Sequence, residues 1–293
     1  MRKIIYILIT LLFITSNFAC ESDSNASNIN DSGNNNSGEV SYILTTKTIY
    51  IPQSIDGVIQ NRPVIIQAAN EIDPTINYPI VFAFHGRGGS HTNWVNQLNN
   101  FTTSGAFVGI YPQGFLDCWN LGPEPSTADD VAFVNLIVEE LQNYSNLDFD
   151  RMYAIGTSNG SVMVNKLAIE TNHFKAIAPV VSQLIESLPI LESTNAISVF
   201  QVNGAADEVI PIDGGSKFGH IFLDAYESAE LWANQFNCSE IPELNLLGQD
   251  TLTIFESCDD NKEIRYLRIE NGGHNLNLNI LFPEIWEFFQ RFN

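Results

Sequence analysis

The sequence predicts an α/β protein, a mostly parallel central sheet with helices on both faces. Three observations support this. Continuous apolar runs, Pro79–Phe84 above all, have the composition of strands covered on both sides. Such runs alternate with stretches of helical periodicity, as strand–helix–strand units require. With 293 residues, 44% of them hydrophobic and only 16% charged, the chain can bury one large core.

At the N-terminus Arg2 and Lys3 precede an apolar run from Ile4 to Ile14, and Thr15-Ser-Asn-Phe-Ala-Cys20 follows. A basic pair ahead of a short apolar region is a secretory signal, and the run is too short for a comfortable membrane span. The residues before Cys20 resemble a bacterial lipobox, although Phe18 is unusual within it. The expectation is a signal peptide over residues 1–19, lipidation of Cys20, and export to a membrane facing the periplasm or the cell exterior. Ordinary cleavage near Ala19, with secretion, is the alternative. Residues 20–39 are mostly Asn, Ser, Asp and Gly, a composition that reads as a disordered tether. A folded domain is expected over 40–293.

Within it, Tyr42–Ile51 and Pro63–Ala69 read as strands of a hairpin that turns near Asp56-Gly57. Pro79–Phe84 is the first doubly covered strand. A helix is expected from His91 to about Asn100, then a strand over Ala106–Tyr111. Pro112–Pro125, rich in Gly, Pro and aromatics, reads as a surface loop. Ser126 or Thr127 caps the next helix, whose apolar positions Val131, Val134, Val138 and Leu141 repeat at helical spacing. Asp129 and Asp130 fall in its first turn, where carboxylates complement the helix dipole. Phe174–Val181, Ala196–Val202 and Ile264–Ile269 read as strands, Ile221–Phe236 and Phe282–Phe292 as helices.

Between these elements lies Arg151-Met-Tyr-Ala-Ile-Gly-Thr-Ser-Asn-Gly160, an apolar strand that runs into Gly-x-Ser-x-Gly and then the helical stretch Ser161–Ile169. A serine hydroxyl is a weak nucleophile and needs a base and a site for the oxyanion. A tight strand-to-helix turn exposes Ser158 and aims the following N–H, that of Asn159, at the developing charge. In open α/β sheets the reactive groups gather past the carboxyl ends of the strands. Asp207 follows Ala196–Val202 and His274 follows Ile264–Ile269, so Ser158, Asp207 and His274 stand in the order nucleophile, acid, base. That is the chain order of α/β-hydrolases. Glu208, Asp213 and Asp224 are the rivals to Asp207. His85-Gly-Arg-Gly-Gly89 follows the third strand-like run, where this fold takes its second oxyanion donor, here the N–H of Arg87. His85 is expected to brace that loop, and His91, His173 and His220 to be surface or packing residues.

His85-Gly-Arg-Gly-Gly89, Tyr111-Pro-Gln-Gly114, Cys118-Trp119, Asp129-Asp-Val131, Gly156-Thr-Ser-Asn-Gly160 and Asn203-Gly-Ala-Ala-Asp207-Glu-Val-Ile-Pro211 together resemble the polyhydroxybutyrate depolymerase and feruloyl esterase group of secreted α/β-hydrolases. The resemblance spans about Pro79 to His274. It implies the α/β-hydrolase fold and cofactor-free hydrolysis of a carboxylic ester through an acyl-enzyme on Ser158. Feruloyl or acetyl esters of plant polysaccharide are the expected substrates, with polyhydroxyalkanoate oligomers as the alternative. A non-catalytic carbohydrate-binding lipoprotein is the rival from another class, and a peptidase of the same fold a further one. The group often carries a cysteine where Arg87 stands and a histidine where Asn203 stands; both differ here. Cys238 and Cys258 flank one polar excursion and are paired both on that ground and by the resemblance, which leaves Cys118 free beside Trp119.

Loop aromatics near the site either stack on an aromatic acyl group or a sugar, or pack the loop down. Tyr111 is assigned to packing, Trp119 and Phe115 to substrate binding. A formal charge of −21 argues against nucleic acid as a partner, because that affinity depends on cations neutralising phosphates. No Lys-Ser/Thr pair follows the glycines of 86–89, so a phosphate loop is disfavoured. Asp129-Asp130 lacks the companions of a metal site, and no metal or cofactor is expected.

Overall fold

Every residue of Tyr78–Phe84 is buried. Ile80, Phe82 and Phe84 join one apolar cluster while Val81 and Ala83 join another, so side chains alternate between two cores. The computed structural model containing this strand describes residues 42–293. The expected signal peptide, the lipidation site Cys20 and the tether lie outside the described residues.

The strands are β1 (Lys47–Ile55), β2 (Val58–Gln67), β3 (Tyr78–Phe84), β4 (Val108–Pro112), β5 (Leu147–Thr157), β6 (Ala176–Val180), β7 (Ser198–Gly204), β8 (Gly215–Lys217), β9 (His220–Phe222), β10 (Glu243–Leu247), β11 (Asp250–Phe255) and β12 (Ile264–Ile269). The helices are α1 (Asn93–Thr103), α2 (Asp130–Leu141), α3 (Asn159–Glu170), α4 (Ala225–Gln235) and α5 (Leu278–Phe289). Ten strands form one sheet in the order β1-β2-β4-β3-β5-β6-β7-β12-β11-β10. The run from β4 to β12 is parallel, and antiparallel strands extend it at both ends. Helices α2, α3 and α4 bury Phe133, Leu167 and Trp232 on one face, and α1 and α5 bury Leu98 and Phe282 on the other. After β3 the chain goes outward to β4 and returns to β5 on β3's other side. The switch point therefore lies between the ends of β3 and β5, where ligands bind in open α/β sheets.

Four local readings change. The cap of α2 is Asp129, whose carboxylate accepts from the Ala132 N–H at 2.9 Å. Thr127 is engaged elsewhere, its hydroxyl donating to Asp56 at the β1–β2 turn. Ile221 belongs to the β8–β9 hairpin, and α4 starts later, capped by Asp224. Helix α5 begins four residues before Phe282, with Asn277 as its cap and Pro283 inside it. Proline costs that helix a hydrogen bond, but Leu278, Phe282, Ile285 and Phe289 bury a continuous apolar face that offsets the loss. The polar excursion between Cys238 and Cys258 is a hairpin, β10–β11, turning at Gly248-Gln249 with Gly248 at φ +71°. Cys238 and Cys258 are bonded, and Cys118 is free and buried.

Arg62 on β2 is the main buried cation beneath the site. Its guanidinium donates to Gln53 Oε1 at 2.8 Å, to the Gln113 carbonyl at 2.8 Å and to Asp130 Oδ1 at 2.7 Å, and it lies 3.6 Å from the centre of the Phe133 ring. Burial pushes the Asp130 carboxyl up against the opposing pull of Arg62. Removing one partner of such a pair strands the other in a dry interior. Arg62→Met is expected to cost about 3–5 kcal/mol, measured by urea denaturation followed by circular dichroism; a loss under 1 kcal/mol would contradict the pairing.

Candidate active site

The turn after β5 is shaped by two close approaches. A Cβ on Gly156 would sit 2.1 Å from the Gly160 carbonyl, and one on Gly160 would sit 2.3 Å from the Phe84 carbonyl and 2.7 Å from that of His85. Only glycine permits the chain to fold back this tightly against the end of β3. Ser158 is left at φ +55°, ψ −118°, a sparsely populated conformation for a residue with a side chain, at the N-cap of α3. Its own N–H donates to the Val180 carbonyl at 3.0 Å, which fixes the turn to β6.

His274 Nε2 lies 3.0 Å from Ser158 Oγ, and His274 Nδ1 lies 2.7 Å from Asp207 Oδ2. The other carboxylate oxygen of Asp207 accepts from the N–H groups of Val209 and Ile210 at 2.8 and 2.9 Å, which locks its orientation. Among the described residues His274 pairs with Asp207, and none of Glu208, Asp213 and Asp224 forms a hydrogen bond or ion pair with it. The Asp207 and His274 loops meet because Gly204 lies against Gly272, where an added Cβ would fall 2.2 Å from a carbonyl oxygen. Asn203, where the resemblance leads to an expectation of histidine, is buried. Its amide donates to Gln183 and accepts from Gln201, and Gln183 in turn donates to the Pro211 and Leu223 carbonyls. The network ties the end of β7 to the far side of the Asp207 loop, with every amide satisfied.

The loop after β3 lies against the serine: a Cβ on Gly86 would come within 3.3 Å of Ser158 Cβ. The N–H groups of Arg87 and Asn159 have no acceptor among the described residues. His85 is buried, with Nδ1 on the Gly86 carbonyl at 2.8 Å and Nε2 accepting from Gly114 N–H at 3.0 Å. Burial pushes its pKa down, in keeping with a neutral imidazole bracing the loop.

Trp119 does not offer a stacking surface. The indole is fully buried, packs edge-on against Phe84 at 5.1 Å between centroids, and donates through Nε1 to the His85 carbonyl at 2.8 Å. Its backbone instead clasps the side chain of Asn159, whose Oδ1 accepts from Trp119 N–H at 2.7 Å and whose Nδ2 donates to Trp119 O at 3.2 Å. Phe115 is half-buried in the same loop and lines neither cleft beside the serine. The loop's aromatics are thus drawn inward by apolar burial. Tyr111 is likewise buried and donates to Gln67 Oε1.

Two clefts of opposite character share Ser158, His274 and Arg87. One, of about 320 Å³, is walled by apolar side chains including Leu121, Val162, Ile210 and Phe222. The other, of about 430 Å³, is polar, with Asn93, Gln97 and Asn275 in its lining. Glu124 and His220 also line the apolar cleft. They are buried and 2.7 Å apart, and Glu124 further accepts from Asn159 Nδ2 at 3.4 Å and from Leu121 N–H at 3.0 Å. Burial pushes the Glu124 carboxyl up, but the His220 hydrogen bond and charge outweigh it and hold the group below the usual range. Sequence reasoning missed this pair. Ninety-six positions separate its members, and no local pattern links a loop glutamate to a strand histidine. Among the described residues no group of three or more His, Cys, Asp or Glu side chains is disposed to hold a metal ion.

Trp119→Phe removes one donor and leaves the His85 carbonyl buried without a partner. A loss of about 1–3 kcal/mol in unfolding free energy is expected, and an unchanged urea midpoint would rule out the structural role.

No family model matches the chain. It is similar to feruloyl esterase B of Piromyces equi, 24% identical over 230 residues that cover 73% of this chain and 42% of that protein. It is also similar to feruloyl esterase C of Emericella nidulans, 26% identical over 182 residues, 59% of this chain and 65% of the relative. The chain thus spans about two-fifths to two-thirds of these relatives' lengths. Among solved structures, an acetyl xylan esterase from Aspergillus awamori superposes with a TM-score of 0.59 at 17% identity, covering 78% of this chain and 94% of that one. The sheet order and that superposition establish an α/β-hydrolase fold, and in sequence the chain is similar to feruloyl esterases.

Proposed function

We propose that the chain is an exported serine carboxylic-ester hydrolase acting on feruloyl or acetyl esters of plant polysaccharide. The observation that carries this is the continuous hydrogen-bonded chain Asp207–His274–Ser158 beside two unpartnered backbone N–H groups. His274 Nε2 takes the Ser158 proton as Oγ bonds to the ester carbon. The N–H groups of Arg87 and Asn159 receive the resulting oxyanion. The proton passes to the departing alkoxide as the acyl–oxygen bond breaks, leaving an acyl-serine. Water, deprotonated by the same imidazole, then releases the carboxylic acid and restores the hydroxyl. Asp207 keeps Nδ1 protonated and stabilises the imidazolium formed in each step.

The paired clefts support the substrate class. An apolar acyl group suits the cleft walled by Val162 and Phe222, and a polyol alcohol suits the one lined by Asn93, Gln97 and Asn275. The names of the relatives, feruloyl esterase and acetyl xylan esterase, agree with that division.

Methyl ferulate and an acetyl ester should both be hydrolysed, with Ser158→Ala slower by about 10⁶-fold and Asp207→Asn by about 10⁴-fold, read as kcat by acid release. Hydrolysis that survives in Ser158→Ala would refute the mechanism. Acetate release without ferulate release would move the substrate to acetylated glycans. Export with lipidation rests on the N-terminal pattern and Cys20. Cys20→Ser is expected to move the protein from the membrane to the soluble fraction, and retention in the membrane would count against the anchor.

A further inference from the structure

The flank of the sheet beyond α4 carries a further cleft, of about 270 Å³, that shares no lining residue with the two beside Ser158. Helix α4 packs on β7 and β12, and β11 and β10 continue the sheet past it. Thr253 on β11 stands opposite Tyr266 on β12 and Leu244 on β10, so the three side chains share one face. All three line the cleft. Arg268, two residues along β12 from Tyr266, lies on that face as well. Asp213, Asp224 and Tyr226, from the segment ahead of α4 and from its start, complete the lining.

The floor is polar and open to an incoming group. Thr253 and Tyr266 are only 3% and 4% exposed, and neither hydroxyl has a hydrogen-bond partner among the described residues. Polar groups so deeply set are normally paired, so two in one cleft call for partners from outside the chain. Burial pushes the Tyr266 phenol up to about 12, which keeps it a proton donor at neutral pH. Asp224 spends Oδ1 on the N–H groups of Tyr226 and Glu227, at 2.8 and 3.1 Å, and keeps Oδ2 free. Arg268 is held by Glu270 through Nε at 2.9 Å and Nη2 at 3.4 Å, which leaves Nη1 unengaged. The rim, by contrast, is apolar. Leu244 is exposed, and so is the Tyr226 ring, which meets Tyr266 edge-on at 6.1 Å.

These groups select a ligand class. Donors and acceptors alternate across the floor, and a hydroxyl is the one group that serves both. An anion would meet the Asp213 and Asp224 carboxylates. A cation carries no acceptor for Tyr266 or Arg268. A pyranose ring offers hydroxyls around its edge and an apolar face for Tyr226 and Leu244. We infer that this cleft binds a neutral oligosaccharide chain, at a place separate from the proposed ester-cleaving site. Binding there needs no chemistry at Ser158.

The probes are xylohexaose, cellohexaose and polygalacturonate, none of which carries an ester, titrated calorimetrically into the full chain. At least one neutral chain is expected to bind saturably, and the polyanion not at all. Thr253→Val and Tyr266→Phe keep the side-chain shape and remove one hydroxyl each. Each should weaken binding about fivefold, the order of one net hydrogen bond, and Tyr226→Ala at least as much by loss of the ring. Gln97→Ala, in the polar cleft beside Ser158, should leave the affinity unchanged. No saturable binding of either neutral chain, affinities indifferent to all three cleft substitutions, equal binding of polygalacturonate, or loss of binding in Gln97→Ala overturns the site. Glycan binding that follows the expected pattern in a protein that hydrolyses no ester would sink the esterase reading and leave this site standing.

Discussion

The site depends on how closely the turn after β5 presses against the end of β3. With the Gly160 backbone pressed into the Phe84 and His85 carbonyls, no side chain fits between, and the position of Ser158 relative to the neighbouring loop becomes a property of the backbone. Interiors packed to crystal density do not deform continuously. The serine's unfavourable φ is therefore sustained by contacts on three sides, from β3, from β6 through the Val180 carbonyl and from α3. Strain of this kind persists only where the surroundings over-determine it.

Around that contact, two buried polar assemblies do comparable work for the loops that complete the site. On one side Arg62 gathers Gln53, Gln113 and Asp130, holding the segment whose Trp119 backbone clasps Asn159. On the other, Asn203, Gln183 and Gln201 link the end of β7 to the far limb of the Asp207 loop. Both are fully paired, the condition under which buried polar groups specify geometry instead of weakening the core. Asn203 is a working member of an amide network, and the loop bearing Arg87 is braced by His85 and Trp119 without a cystine.

The juxtaposition of Ser158, His274 and Asp207 was legible because its logic is local at three places: each residue follows an apolar strand, and strand ends converge in a parallel sheet. The residues at the end of β12 and after β7 needed no long-range information to be nominated. Trp119 was misjudged because a tryptophan in a Gly- and Pro-rich loop looks the same whether it points out or in; the deciding fact is the buried His85 carbonyl beneath it, which the indole N–H satisfies. Glu124 and His220 were invisible for a related reason, since their pairing depends on burial and on a contact between distant positions. Helix α5 shows packing overriding the local penalty of Pro283, and the β10–β11 hairpin was hidden by β10, which has no buried face, although Gly248-Gln249 carried a turn signal.

The Cys238–Cys258 bond closes a segment of 20 residues that contains that whole hairpin. Cross-linking acts chiefly on the unfolded ensemble, by removing the loop-closure entropy of the bridged stretch. The bridged stretch lies at the sheet's outer margin, beyond β12, and the bond adds a local restraint there to its effect on the domain as a whole. In a reducing compartment the protein would keep its interior and lose order from this margin inward, toward β12 and the loop that ends in His274. Oxidation state is in that sense a setting for how cooperatively the edge melts with the centre.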